Sequence, residues 1–141
     1  MALVADTGAI LAIYDADDKH HRRVLHAIKR EKGPIIVPTA ILAETDYLLR
    51  RFLGIEAEID FVDGVLAGAY TLEPLTAPDL RRCRELISLY RNLDLGLADA
   101  SVIATAERLA IRRILTVDER DFRIIRARGG LVFELWPADL P

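Results

Sequence analysis

At 141 residues, with 52% apolar composition, a mean hydropathy of +0.19 and a formal charge of −3, the chain suits one domain, residues 1–141, with a real core. No apolar run approaches the roughly 20 residues of a membrane span, and Met1-Ala2-Leu3-Val4-Ala5-Asp6 has no basic region of the signal-peptide kind. The single Cys83 excludes an internal disulfide and a Cys/His zinc site, so a reducing, cytoplasmic setting is expected.

Leu3 to Ala5 reads as a short buried strand, followed by a helix from Thr7 to about Ala16. A second helix runs from His20 to about Lys32 and stops at Gly33-Pro34. His20 and His21 are expected on its exposed side, without a role. Ile35-Ile36-Val37 is β-branched and therefore a strand, and Thr39 after Pro38 is a good N-cap for a helix through about Phe52. Gly54 breaks the chain before a helix from Ile55 to Leu66, and Tyr70 to Leu72 is strand-like. Pro78 opens a helix to about Tyr90, and residues 92–96 form a loop. Leu97 to Ala110 reads as an amphipathic helix with Ala98, Val102, Thr105, Ala106 and Leu109 on one stripe. Arg113 to Val117 is a strand, and Gly129-Gly130 turns the chain into a last strand, Leu131 to Leu135. Strands alternating with helices predict an α/β fold with a central parallel sheet covered on both faces, in three layers.

Four carboxylates stand where such strands end or helices begin: Asp6, Glu44, Asp99 and Asp118. Ligands of open α/β sheets bind beyond the carboxyl ends of the strands, so the topology can bring all four to one edge. Three have a plain alternative. Asp6 and Asp99 could simply favour a helix N-terminus, and Asp118 could serve a turn. Asp94 and Asp121 fit that role too. Glu44 borders the stripe of Ile41, Thr45, Leu48 and Phe52, where a carboxylate needs a partner, a proton or a metal. Gathered at ~4 Å, like charges repel by roughly 4 kcal/mol per pair at an effective dielectric of about 20. Protonation or a hard divalent cation relieves that repulsion.

The charge of −3 weighs against a nucleic-acid partner, but setting the four acids aside turns it into +1. Arginines cluster at 120, 123, 126 and 128, at 81, 82 and 84, and at 50 and 51. A basic rim around an acidic, metal-filled cleft suits a phosphodiester. The ordinary reading of any one arginine is a solvated helix face.

The segments Val4-Ala5-Asp6-Thr7, Pro38 to Glu44, Leu97-Ala98-Asp99-Ala100 and Leu115 to Phe122 resemble, in this order, the PIN domain family, and within it the VapC-type toxin ribonucleases. The resemblance covers nearly the whole chain. It implies Asp6, Glu44, Asp99 and Asp118 as an acidic site for Mg²⁺ or Mn²⁺ that cleaves single-stranded or looped RNA. It also implies a homodimer and inhibition by a VapB-like antitoxin. Within that frame Asp6 and Asp99 are the principal ligands. Asp118 holds the metal through water or binds a second ion, and Glu44 orients or deprotonates the attacking water. Thr7, Thr116 and Asp121 are supporting candidates, and Arg120 and Arg123 are candidates for RNA contact. Gly8 departs from the family, which commonly has Ser after Asp-Thr.

Three other readings compete. The same acids could serve RNA processing or quality control, or a non-catalytic scaffold that binds RNA or a partner. Asp6-Thr7-Gly8 also matches the signature of dimeric aspartic proteases, in which two aspartates share a proton. Those enzymes are almost wholly β, whereas helical periodicity dominates here.

Overall fold

The computed structural model describes residues Met1–Pro141. Five short strands, β1 (Leu3–Ala5), β2 (Ile35–Pro38), β3 (Thr71–Glu73), β4 (Arg113–Leu115) and β5 (Glu134–Trp136), form one parallel sheet in the order β3-β2-β1-β4-β5. Seven helices flank it: α1 (Thr7–Tyr14), α2 (His21–Glu31), α3 (Leu42–Leu53), α4 (Ile55–Leu66), α5 (Ala77–Leu89), α6 (Leu97–Leu109) and α7 (Arg120–Ile124). From β1 the chain steps outward to β2 and β3, then returns across the sheet to β4 and β5. Right-handed crossovers then put α1 to α4 on one face and α5 and α6 on the other. No helix is long and apolar enough to cross a membrane.

The core follows from composition. β1 and β2 are buried throughout, as central strands covered on both faces must be. At the amino edge, Leu3 N–H donates to the Pro34 carbonyl at 3.0 Å. Gly33 is required there, since a Cβ would stand 1.5 Å from the Met1 carbonyl oxygen. Helix α6 corrects the expectation of one apolar stripe: Ala100 to Ala106 are all buried, so the helix is covered all round. Its alanines allow neighbours to approach from every side.

Other boundaries shift for identifiable reasons. Helix α1 ends at Tyr14, because Asp15 and Asp18 bind the backbone N–H groups of Asp17 and His20 (3.1 and 2.7 Å) and turn the chain. His21 is not free: its Nδ1 lies 2.7 Å from the Ala12 carbonyl oxygen. Thr39 caps no α-helix. It starts a 3₁₀ turn, Thr39–Ile41, and its hydroxyl accepts the Leu75 N–H at 3.2 Å. On α3 the buried stripe is Ile41, Thr45 and Leu49, while Phe52 is exposed. The last strand is Glu134–Trp136, not Leu131–Leu135. Its register is set by pairing with Arg113–Leu115, and Val132 lies 79% exposed outside the ladder. Helix α7 falls in a stretch to which the sequence assigns no element.

Candidate functional site

Between β1 and β4 the strand order reverses, and the crevice beyond their carboxyl ends is where such sheets bind ligands. Asp6 follows β1 directly. Its N–H donates to the Leu115 carbonyl at 2.9 Å, which ties it to β4. Its extended backbone makes it the N-cap of α1, and Oδ1 accepts the Thr7 N–H at 2.9 Å. Oδ2 accepts from the Thr116 hydroxyl at 3.1 Å. The residue is only 7% exposed. Burial, then the charge of Asp99 and, less strongly, that of Asp118, push its carboxyl up to about 6, against the lowering effect of the two hydrogen bonds.

Two threonines link the acids. Thr7 donates its hydroxyl to Glu44 Oε2 at 2.8 Å and accepts from the Thr45 hydroxyl at 3.4 Å. Thr116 accepts the Asp118 N–H at 3.1 Å, and its hydroxyl also lies 3.1 Å from the Asp118 carbonyl oxygen. Thr116 thereby fixes the turn that carries Asp118 while it touches Asp6. Glu44 sits in the first turn of α3 and faces solvent, so it does not have the apolar surroundings expected of it.

Asp99, in the first turn of α6, is half-buried. Burial raises its carboxyl above the ordinary value, followed by the charges of Asp121, Glu44 and Asp118. These mutual effects place Asp6, Glu44, Asp99, Asp118 and Asp121 in one electrostatic cluster. Asp121 belongs to it because α7 forms. Its Oδ1 is buried and has no hydrogen-bond partner, with Arg120 Nε 3.5 Å away. Thr45 is a further contributor that sequence reasoning missed. Its position four residues after Ile41, on the buried stripe, was the available signal.

No three His, Cys, Asp or Glu side chains are arranged to chelate one ion between them. Mg²⁺ does not need that, since it usually keeps several waters and takes one or two carboxylates. The orphaned Asp121 oxygen beside Asp99 and an all-oxygen donor set therefore fit a hard, hydrated cation.

The arginines near the cleft divide. Arg123 is engaged on both arms, with Asp139 at 2.7 and 2.9 Å and Glu119 at 2.8 Å. Arg120 is 80% exposed on its side chain, with Nε near the Asp121 carboxylate. Arg82 and Arg128 are likewise paired, with Glu107 and Glu85.

The sequence from residue 3 to residue 127 matches the PIN domain model. The chain belongs to the PIN domain family. This PIN domain is 31% identical over 135 residues to Ribonuclease VapC26 of Mycobacterium tuberculosis (strain ATCC 25618 / H37Rv), covering 96% of the chain and 100% of that relative. Among solved structures, the M. tuberculosis sarcin-ricin loop cleaving toxin VapC20 superposes with a TM-score of 0.75 at 22% identity, covering 83% of this chain and 90% of that one. VapBC2 from Rickettsia felis, bound to a promoter DNA fragment, gives 0.70 at 17% identity, covering 96% and 99%. At these identities the two structures show a shared fold. The PIN fold also removes the aspartic-protease reading, since Asp6-Thr7-Gly8 here caps a helix of a parallel α/β sheet. Gly8 has its own cause: a Cβ there would stand 3.0 Å from Val117 Cγ2.

Proposed function

We propose that this PIN domain is a VapC-like toxin: a metal-dependent endoribonuclease that hydrolyses phosphodiester bonds in single-stranded or stem-loop RNA and is restrained by a VapB-like antitoxin. One observation carries the reading. Acids buried elsewhere have cations: Asp79 has Arg108, Glu107 has Arg82 and Glu31 has Arg113. Asp6, Glu44, Asp99 and Asp118 make no ion pair, and they are grouped at the switch point of the sheet. Grouped carboxylates without counter-charge are costly unless an ion joins them.

In this reading Asp6 and Asp99 are the principal ligands of Mg²⁺ or Mn²⁺, and Asp118 acts through water or on a second ion. Bound metal supplies stabilisation of charge on the phosphoryl oxygens and an activated water. Glu44, aimed by the Thr7 hydroxyl, accepts the proton of the attacking water. Thr116 holds the Asp6 carboxylate in one orientation through Oδ2. Asp121 adds a carboxylate beside Asp99. Exposed apolar side chains on α3 and α4, including Tyr47, Phe52, Ile59 and Leu66, offer surface for a homodimer or an antitoxin.

The test is cleavage of a labelled stem-loop RNA. Wild-type protein cuts it with Mg²⁺ or Mn²⁺ and not with chelator, and Asp99→Asn removes the activity. RNA binding without cleavage in either metal would sink the nuclease reading and leave a scaffold.

A further inference from the structure

Residues 19–32 hold all three lysines and all three histidines of the chain, with Arg22, Arg23 and Arg30, against one acid, Glu31. This segment carries +5 while the rest of the chain, at a total of −3, carries −8. Helix α2 sorts the charge onto one face. Arg22, Arg23, His26, Lys29 and Arg30 fall within about a third of its circumference and are exposed, whereas Val24 and Ala27, outside that face, are buried. None of its four exposed Arg and Lys residues makes an ion pair, unlike Arg82, Arg108, Arg113, Arg123 and Arg128. Glu31 is taken by Arg113 at 2.5 Å. Asp15 and Asp18, which precede the helix, are turned onto the backbone of Asp17 and His20.

The position is also informative. Arg22, Arg23 and His26 line one side of a cleft of about 380 Å³, with Pro137, Ala138 and Leu140 on the other. That last segment leaves the carboxyl edge of the sheet after β5, the edge that carries the acids. Its Asp139 grips Arg123 of α7, the helix of Asp121. A path therefore runs along one edge of the protein from the acidic cluster to α2.

We propose that the basic face of α2 is a second RNA-binding surface, which tracks the phosphate backbone of substrate outside the cleft. The proposal rests on the ribonuclease reading for the identity of its ligand. Arg22 to Arg30 span ~12 Å, the axial length of about three phosphates of a strand. Arginine forks and lysine point charges both suit phosphate.

Fluorescence anisotropy of a labelled stem-loop RNA, in chelator so that nothing is cut, tests it. Each phosphate contact is worth about fivefold in affinity at about 0.1 M salt on a single-strand slope. The variant Arg22→Gln/Arg23→Gln/Lys29→Gln/Arg30→Gln is expected to bind about 100-fold more weakly, and its slope of log affinity against log salt is expected to fall by about 2. Either half, Arg22→Gln/Arg23→Gln or Lys29→Gln/Arg30→Gln, lowers affinity about fivefold or more, which covers loss of folding in the full variant. Exchanging Arg and Lys at the four positions preserves the slope. Turnover of an oligonucleotide spanning only the scissile site stays at the wild-type rate in every variant. Unchanged RNA affinity and slope in a folded glutamine variant would overturn the proposal. So would loss of poly-glutamate binding with RNA binding intact, which would mark α2 as a surface for an acidic protein. Failure of the wild type to cut the same RNA in Mn²⁺ would remove the nuclease reading instead, whatever the anisotropy shows.

Discussion

Replacing Asp6 with asparagine separates a charge kept for the helix dipole from a charge kept for a metal, because removing the first costs stability and removing the second, crowded and buried, gains it. The rise of the Asp6 carboxyl from 3.8 to about 6 means that the folded protein opposes its ionisation by about 3 kcal/mol. Asparagine removes the charge and keeps the hydrogen bonds. Its Oδ1 still accepts the Thr7 N–H, and its Nδ2 donates to Thr116 Oγ1. Thr116 then turns its own proton to the Asp118 carbonyl oxygen, already 3.1 Å away. An amide still has some desolvation cost, so the net gain for metal-free protein above pH ~6 is about 1–3 kcal/mol. At this chain length that raises Tm by about 3–10 °C.

The sign of the pH dependence follows from the same shift. Asp6 is raised, so the folded state holds more protons than the unfolded state between pH 3.8 and about 6. Wild-type stability therefore falls as pH rises through that window and stays low above it. The advantage of Asp6→Asn is expected at about pH 7.5 and should vanish near pH 4, where the native carboxyl is protonated. Thermal denaturation in chelator at both pH values measures this. Adding Mn²⁺ at the higher pH should then stabilise the wild type and leave the variant nearly unmoved. A variant that melts below the wild type at both pH values would refute the reasoning and leave the Asp6 charge as a stabiliser of the helix N-terminus.

Thr116→Val removes the donor to Asp6 and the acceptor of the Asp118 N–H, so it should cost about 1–3 kcal/mol and weaken Mn²⁺ binding by calorimetry, with Thr116→Ser restoring both. Gly8→Ser should lower Tm because its Cβ would stand 3.0 Å from Val117 Cγ2, and Val117→Ala should recover most of the loss. Arg82→Met leaves Glu107 without its main cation, so urea denaturation should read a loss of about 3 kcal/mol while cleavage per folded molecule is unchanged.

What could be read in the sequence was whatever depended on short-range pattern. Leu3-Val4-Ala5 and Ile35-Ile36-Val37 declare themselves as buried strands, and a residue just past such a strand lies at its carboxyl edge whatever the register. Features decided by contact were hidden. Five residues of Arg-Asp-Phe-Arg-Ile are too few to nucleate a helix alone, so α7 and the orphaned Asp121 oxygen emerge only when Phe122 packs into the core. Leu131-Val132-Phe133 has strand-forming residues, yet the ladder begins at Glu134 because β4 offers only three residues to pair. Counting arginines also misled. Within the cluster at 120–128, Arg123 and Arg128 are bound to acids on other elements, while four unpaired cations share one face of α2, a helix on which the sequence draws the eye to histidines.

An acidic nuclease site has to solve an association problem. In the proposed reading, Asp6, Glu44, Asp99, Asp118 and Asp121 repel the phosphates beside which they act, and a bound metal would offset that repulsion only locally. At about 0.1 M salt a charge is felt over ~10 Å, so an approaching RNA meets each part of the surface separately. Distributing charge evenly would leave a chain of −3 repulsive almost everywhere. Concentrating +5 in residues 19–32 gives the backbone a foothold outside the acidic cleft, and Arg82, Arg123 and Arg128 are each held by acids instead. The acids can then remain unpaired for a metal, and the cost of keeping them so is confined to one crevice of an otherwise charge-balanced PIN fold.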